Sequence, residues 1–505
     1  MRALALLALF ATVALHGAET PAIKATPIPA PAHTNALGAS VTVSPEGVVW
    51  LTWLERTGAT TALRFATFEA TTNAWSAAGT IASGSDLFLN AADFPALTAG
   101  PNGRATAVWS VRLPHDPATA SPAHGEHGAG YQAFTAQTTD GGKTWSAGAP
   151  LTRESNRVEF ASVTTLADGR VLAAWLDGRE TRPGRKQPQL FARFIGVSGP
   201  DTLVDPSVCD CCQTSLAAFP DGSALLVYRG RTDDEVRDIR ATRFAAGRWT
   251  ESYPIFHDGW KTTACPVNGP QIAADGGRVA AAWFTAANGR LRVQASLSPD
   301  AGARFLSPLQ LNDGKTAGRV ATALLHDGAL LVTSVDADGA LWLRRVTPDF
   351  VPTAALRLTS PEAGRIKGFP RMALRRDFRG GTAPAELIIA LVRDAEPTVL
   401  QTLRVTIPEG ELLAEERNCD CSTAEDELLG FSIRGVILAA HPSARILRVN
   451  PVALPGIFPA GERELAVDPR IPIGADAVGR PFVGRIRRQD DGWQIFSLRV
   501  LPKRL

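Results

Sequence analysis

Methionine, tyrosine and lysine are scarce in this chain of 505 residues, which holds 2 Met, 3 Tyr and, among 52 basic residues, 7 Lys. So few thioethers exclude a copper site built from several methionines, and three tyrosines leave tyrosine chemistry few places to reside. Charge of one sign is lacking too. The formal net charge of +2 argues against a nucleic-acid or polybasic membrane partner, because either needs clustered positive charge to offset phosphates. Long apolar runs are absent after the N-terminus, so no transmembrane segment is expected in the mature chain. Since nearly all basic residues are Arg, which fills surface positions here, a single arginine carries little information.

What is present begins with Met1-Arg2, an apolar run from Ala3 to Leu15 and small residues at Gly17-Ala18. This is the form of a secretory signal, 1–18, and implies export to a periplasmic or extracellular space where disulfides persist. The Pro-rich segment 19–35 reads as an extended leader with no core to join. Six cysteines follow: Cys209, Cys211, Cys212, Cys265, Cys419 and Cys421.

From about residue 36 to 407 a unit recurs every 45–60 residues, a period typical of propeller blades. Each unit has a short apolar strand, a Gly-containing corner and a β-rich strand that often carries Trp. The corners are Gly47, Asn102-Gly103, Asp168-Gly169, Asp221-Gly222, Gly276-Gly277 and Asp327-Gly328, with a weaker seventh unit from Pro370 to Val392. Asx-Gly and Gly-Gly pairs between apolar strands signal hairpins, because the tight turn needs positive φ. An all-β β-propeller is expected, with seven blades favoured and six the alternative.

One further turn is more specific. Thr138-Thr-Asp140-Gly-Gly142-Lys-Thr144-Trp145, and its second copy Ser298-Pro-Asp300-Ala-Gly302-Ala-Arg304-Phe305, place a carboxylate to accept backbone amides, a glycine for left-handed backbone and an aromatic to cover the hairpin. These segments resemble the Asp-box of the sialidase (neuraminidase) superfamily. The resemblance implies outer-hairpin turns distant from the central site.

Segment 408–429, acidic and containing Asn418-Cys419-Asp420-Cys421, reads as a linker. Residues 430–505 offer five short strands at 431–438, 444–450, 463–467, 478–487 and 493–500, which suit a small OB-like barrel. Gly435-Val-Ile, Leu454-Pro-Gly-Ile-Phe-Pro459-Ala and Arg487-Arg-Gln-Asp-Asp-Gly-Trp493 resemble the CusF-type periplasmic copper-binding domains. Where that family has Pro-Ala-Met-Thr-Met, this chain has Pro459-Ala460-Gly461-Glu462-Arg463, and Met372, the one methionine past the signal, lies outside the segment. Copper binding in the family's manner is not expected here.

In a propeller the entry of each first strand and the loop leaving the second face one funnel. Repeat phase nominates Asp93, Glu159, the run Cys209 to Gln213, Cys265, Asn268, Arg319 and Arg371, with Glu55, Arg112, His115, Asp177, Arg179, Glu180, Tyr228, Arg229, Arg231 and Arg393 from the second set. The sialidase resemblance implies three arginines on a sugar carboxylate and a tyrosine nucleophile activated by an acid. Arg179, Arg229 and Arg371 are the candidates for the clamp, Tyr228 for the nucleophile, Glu180 or Glu235 for its base and Asp93 for the acid. The family's Phe/Tyr-Arg-Ile-Pro motif is absent. Cys209, Cys211, Cys212 and Cys265 begin neighbouring units and are expected to form disulfides or a thiolate site for copper or zinc. His124-Gly-Glu-His127 and His257 are weaker metal candidates. The functional expectation is a ligand-recognition or metal-linked envelope protein whose funnel takes a small-molecule, glycan or protein ligand. The alternative is an exo-sialidase-type glycosidase acting on terminal acidic sugars.

Overall fold

A computed structural model describes residues 23–32, 35–115, 129–181, 187–360, 362, 364–375, 385–407, 431–451, 462–469, 471, 473–474, 477–489 and 492–500. The signal segment, the linker with Cys419 and Cys421, and His124 and His127 lie outside them. No α-helix occurs among the described residues.

Seven antiparallel sheets of four or five strands follow in chain order. Their first strands are Ala36–Val43, Ala96–Ala99, Val158–Thr165, Ser215–Ala218, Gln271–Asp275, Thr316–Leu324 and Arg365–Arg375. These touch one another in cyclic order, the seventh returning to the first, so the sheets close into a ring. Each Gly-containing corner sits between first and second strands, with Gly47, Gly103, Gly169, Gly222, Gly276 and Gly328 all at positive φ. The core lies between adjacent sheets, where second strands such as Ala224–Arg229 are buried throughout.

The ring is closed by a strand within the segment expected to be an extended leader. Lys24–Ile28 pairs antiparallel with Val399–Ile407, the third strand of the seventh sheet. Ile28 is buried against Val49, Phe68 and Ile388, and its carbonyl accepts the Thr402 hydroxyl. The N-terminus thereby supplies the fourth strand of a sheet whose other three come from the end of the propeller.

Both Asp-boxes join third and fourth strands and hold the expected geometry. The Thr144 hydroxyl on Oδ2 at 2.6 Å, the Thr144 amide on Oδ1 at 3.0 Å and Thr138 Oγ1 on Oδ1 at 2.8 Å hold the Asp140 carboxyl down at about 2. Trp145 packs edge-on to Trp50 and Phe65 of the preceding sheet. In the second copy Asp300 Oδ1 accepts from Ser298 Oγ and Arg304 N.

The C-terminal strands Phe431–His441, Ile446–Pro451, Arg463–Val467, Pro481–Gln489 and Gly492–Val500 close a separate barrel in the order first, second, third, fifth, fourth. Ile437, Leu447, Val449, Leu465, Phe482, Ile486 and Ile495 fill it. The Pro459-Ala460-Gly461 stretch lies outside the described residues.

Candidate functional site

First strands in a ring expose their side chains to a shared axis. The resulting channel, about 180 Å³, is lined by Asp93, Phe94, Phe160, Gln213, Gln271 and Arg371, among others. At its entry several first strands carry a bulge: register shifts fall at Leu37/Ser40, Glu159/Ser162, Gly318/Ala321 and Lys367/Arg371. Residues there adopt positive φ, including Phe160 at 54° and Arg319 at 50°, a conformation that re-aims neighbouring side chains at a price in backbone strain.

A latch recurs at three of the first-strand entries, two of them at bulges. Asp93 Oδ1 accepts the Phe160 amide at 3.1 Å, Gln213 Oε1 the Gly269 amide at 2.8 Å, and Asn268 Oδ1 the Arg319 amide at 2.7 Å. Asn268, nominated for a ligand, has its carboxamide occupied by this latch and by the Pro266 and Ala317 carbonyls. Asp93 plays the same role with a carboxyl where its counterparts use neutral amides. Burial raises it to about 6, against the opposing hydrogen bonds from Ser110 and Phe160.

Glu159 has no latch. It is half-buried at the entry of the third sheet, and burial, then the charges of Asp93 and Asp210, raise its carboxyl to about 8. No hydrogen bond to it is found among the described residues. Beside it stands Tyr131, pushed up by burial and by Glu159 against the opposing charge of Arg112; the tyrosine ring rests on Phe88 with centroids 4.7 Å apart. Tyr131 lies on the third strand Ala129–Thr138, whose start a bridge to Arg157 carries to the mouth of the next sheet. Arg371, the first paired residue past its bulge as Ser162 is past its own, lies one step deeper. Its guanidinium covers the Phe94 ring at 4.9 Å, while Nε and Nη1 lack partners among the described residues and burial lowers it to about 10.

The remaining sialidase-type candidates are engaged elsewhere. Tyr228 is fully buried between the third and fourth sheets with Leu190, Leu226 and Phe244, and its hydroxyl donates to Asp205 Oδ2 at 2.5 Å. Burial and that carboxylate push it far above the usual phenol range, the opposite of what a nucleophile needs. Glu235 clamps Arg231 and Arg237, and Glu180 is half-buried beside Arg179 in the chain. Arg229 donates to the carbonyls of Arg237, Asn268 and Phe284 under the Trp260 ring. Arg179 bridges Glu154, Asp177 and Asp201. Of the proposed clamp, Arg371 alone faces the channel with donors unpaired. Arg319 Nη1 donates to the Ile366 carbonyl, and Arg393 to Gln401 and the Gly364 carbonyl. Glu55 and Asp177 accept the indole N–H of Trp53 and Trp175. His115 ends the strand Ala105–His115, and His257 is exposed.

The cysteines do assemble. A disulfide joins Cys211 to Cys265 across 54 residues and so links the entries of the fourth and fifth sheets. Cys209 and Cys212 are buried and form no disulfide among the described residues, with sulfurs 3.5 Å apart; Cys209 Sγ is also 3.9 Å from Cys211 Sγ. Arg237 Nη1 donates to Cys209 Sγ at 3.1 Å. The sulfur contact with Cys212, with Arg229 and Arg237 nearby, lowers the Cys209 thiol, whereas burial pushes the Cys212 thiol up.

No family model matches the chain, and no curated protein does. Solved structures match in fold. The BP39L lectin from Burkholderia pseudomallei is 9% identical with a TM-score of 0.51, covering 74% of this chain and 97% of its own. Hadza microbial sialidase Hz136 is 14% identical with a TM-score of 0.40, over 64% and 66%. The Penicillium chrysogenum α-L-arabinanase is 13% identical with a TM-score of 0.42, over 64% and 93%. With its closed ring of seven antiparallel sheets, the chain is an all-β protein with a β-propeller fold.

Proposed function

We propose that this is an exported recognition propeller that binds a polar, glycan-type ligand at the channel mouth, without tyrosine catalysis at Tyr228. The observation that carries the reading is Glu159, a half-buried acid with no hydrogen-bond partner among the described residues, set between Tyr131 and Asp93. A desolvated acid with unused hydrogen-bonding capacity is a costly feature that a ligand hydroxyl would satisfy. Arg371 adds a donor without a partner among the described residues in the adjoining channel, which Phe94 also lines, and Phe88 and Tyr131 supply aromatic faces beside Glu159 of the kind sugars pack against. A lectin is among the proteins that share the fold.

A second reading rests on the raised acids. Two neighbouring carboxyls held at about 6 and about 8 are an arrangement suited to general acid chemistry on a glycosidic bond. A glycan array separates binding from no binding, and release of 4-methylumbelliferone from a sialoside and from an arabinofuranoside separates binding from hydrolysis. Binding without release supports the recognition reading; release lost in Glu159→Gln supports the second.

A further inference from the structure

We propose that Cys209, Cys211 and Cys212 form a three-thiolate site for copper(I), closed while Cys211 is bonded to Cys265 and opened when a dithiol reductant cleaves that bond. The sulfurs of these three residues lie within 4.8 Å of one another. A metal–sulfur distance of about 2.3 Å places ligand sulfurs about 3.8 Å apart in a tetrahedron and about 4.0 Å apart in a trigonal plane. The Cys209–Cys212 and Cys209–Cys211 separations of 3.5 Å and 3.9 Å are close to this and the third pair lies within 4.8 Å, so little rearrangement is needed around an ion.

Cys265 is grouped instead with Asp210 and Cys211 and is exposed. The inner set therefore offers three sulfurs, which suits copper(I); structural zinc is almost always held by four ligands. Three thiolates on a monovalent ion leave excess negative charge in a buried place. Arg237, donating to Cys209 Sγ, and Arg229, fully buried alongside, offset it. Glu235, Arg231 and Asp210 fix the Arg237 head group.

In the disulfide state Cys211 cannot ligate as a thiolate. The dithiol passes two electrons and two protons to the Cys211–Cys265 bond, becoming a disulfide itself and leaving two thiols. Copper(I) then displaces protons from Cys209, Cys211 and Cys212. This inference is independent of the glycan reading, since it involves neither Glu159 nor Arg371.

The test is copper(I) titration against bicinchoninate in the full chain carrying Cys419→Ser and Cys421→Ser, before and after reduction by a dithiol that is removed by anaerobic desalting before copper is added. Reduced protein and Cys265→Ser are expected to bind one copper(I) per chain, untreated protein at least 100-fold more weakly, and Cys209→Ser and Cys212→Ser at least 100-fold more weakly even when reduced. Equal binding before and after reduction, or retention by both serine variants, would overturn the proposal, as would failure of Cys265→Ser to bind while its thermal melt matches the parent.

Discussion

The Tyr228 hydroxyl donates to Asp205 Oδ2 at 2.5 Å from a fully buried ring. Asp205 also accepts from Ser252 Oγ at 3.0 Å and lies near Arg240, so the tyrosine belongs to a polar tie between the third and fourth sheets. Its near neighbour in the chain, Arg229, turns to the opposite face of the same strand and is satisfied by carbonyls. Removing the hydroxyl should therefore affect folding alone. Tyr228→Phe is expected to lose about 1–3 kcal/mol in urea denaturation with ligand binding unchanged; loss of binding at unchanged stability would contradict this.

Glu159 makes stability depend on pH in a defined direction. Its carboxyl titrates at about 8 in the folded chain against an ordinary value of 4.5, so the folded state holds a proton that the unfolded state releases first. The stability it contributes is present in full below 4.5 and is lost as pH rises to about 8. Glu159→Gln lacks this dependence. The melting temperature of Glu159→Gln minus that of the parent should rise between pH 5 and pH 8; a constant difference would contradict the environment assigned to this residue.

Gly302 in the second Asp-box has φ 88°, and a Cβ there would lie 2.6 Å from Leu225 Cδ2 in the preceding sheet. Gly302→Ala should cost about 1–2 kcal/mol from the left-handed backbone alone, and more from displacing a fully buried leucine. The denaturation midpoint reads this directly, and an unchanged midpoint would contradict the packing.

The architecture was largely legible because its signals are local. Asp168-Gly169 or Asp221-Gly222 specifies a hairpin whatever surrounds it, and the Asp-box carries its own acceptor, glycine and aromatic within eight residues. The strand Lys24–Ile28 was not legible, since five residues that include Pro27 have no periodicity, and its partner is over 370 residues away. Site residues were only half legible. Repeat phase placed Asp93, Glu159, Arg371 and the cysteines at first-strand entries, but it could not tell the latch at Asn268 from a ligand contact. Nor could it give the direction of Tyr228, because a strand buried on both faces has no polar side to betray its orientation. The approach of Tyr131 to Glu159 depends on the bridge to Arg157, which no single segment announces.

Deleting residues 1–29 should expose the edge of Val399–Ile407 and the apolar surface under Ile28. Burial of that isoleucine alone is worth about 1.5–3 kcal/mol, so the truncated chain is expected to melt several degrees lower. An unaltered melting curve would show that the ring closes without its N-terminal strand.

The central claim is that the channel mouth at Glu159 and Arg371 recognises a polar ligand. Its most direct measurement is calorimetric titration of the strongest glycan-array ligand into the parent, Glu159→Gln, Arg371→Met and Tyr228→Phe. The account predicts at least a tenfold loss of affinity in the first two variants and parental affinity in Tyr228→Phe. Parental affinity in Glu159→Gln and Arg371→Met, or loss confined to Tyr228→Phe, would contradict it.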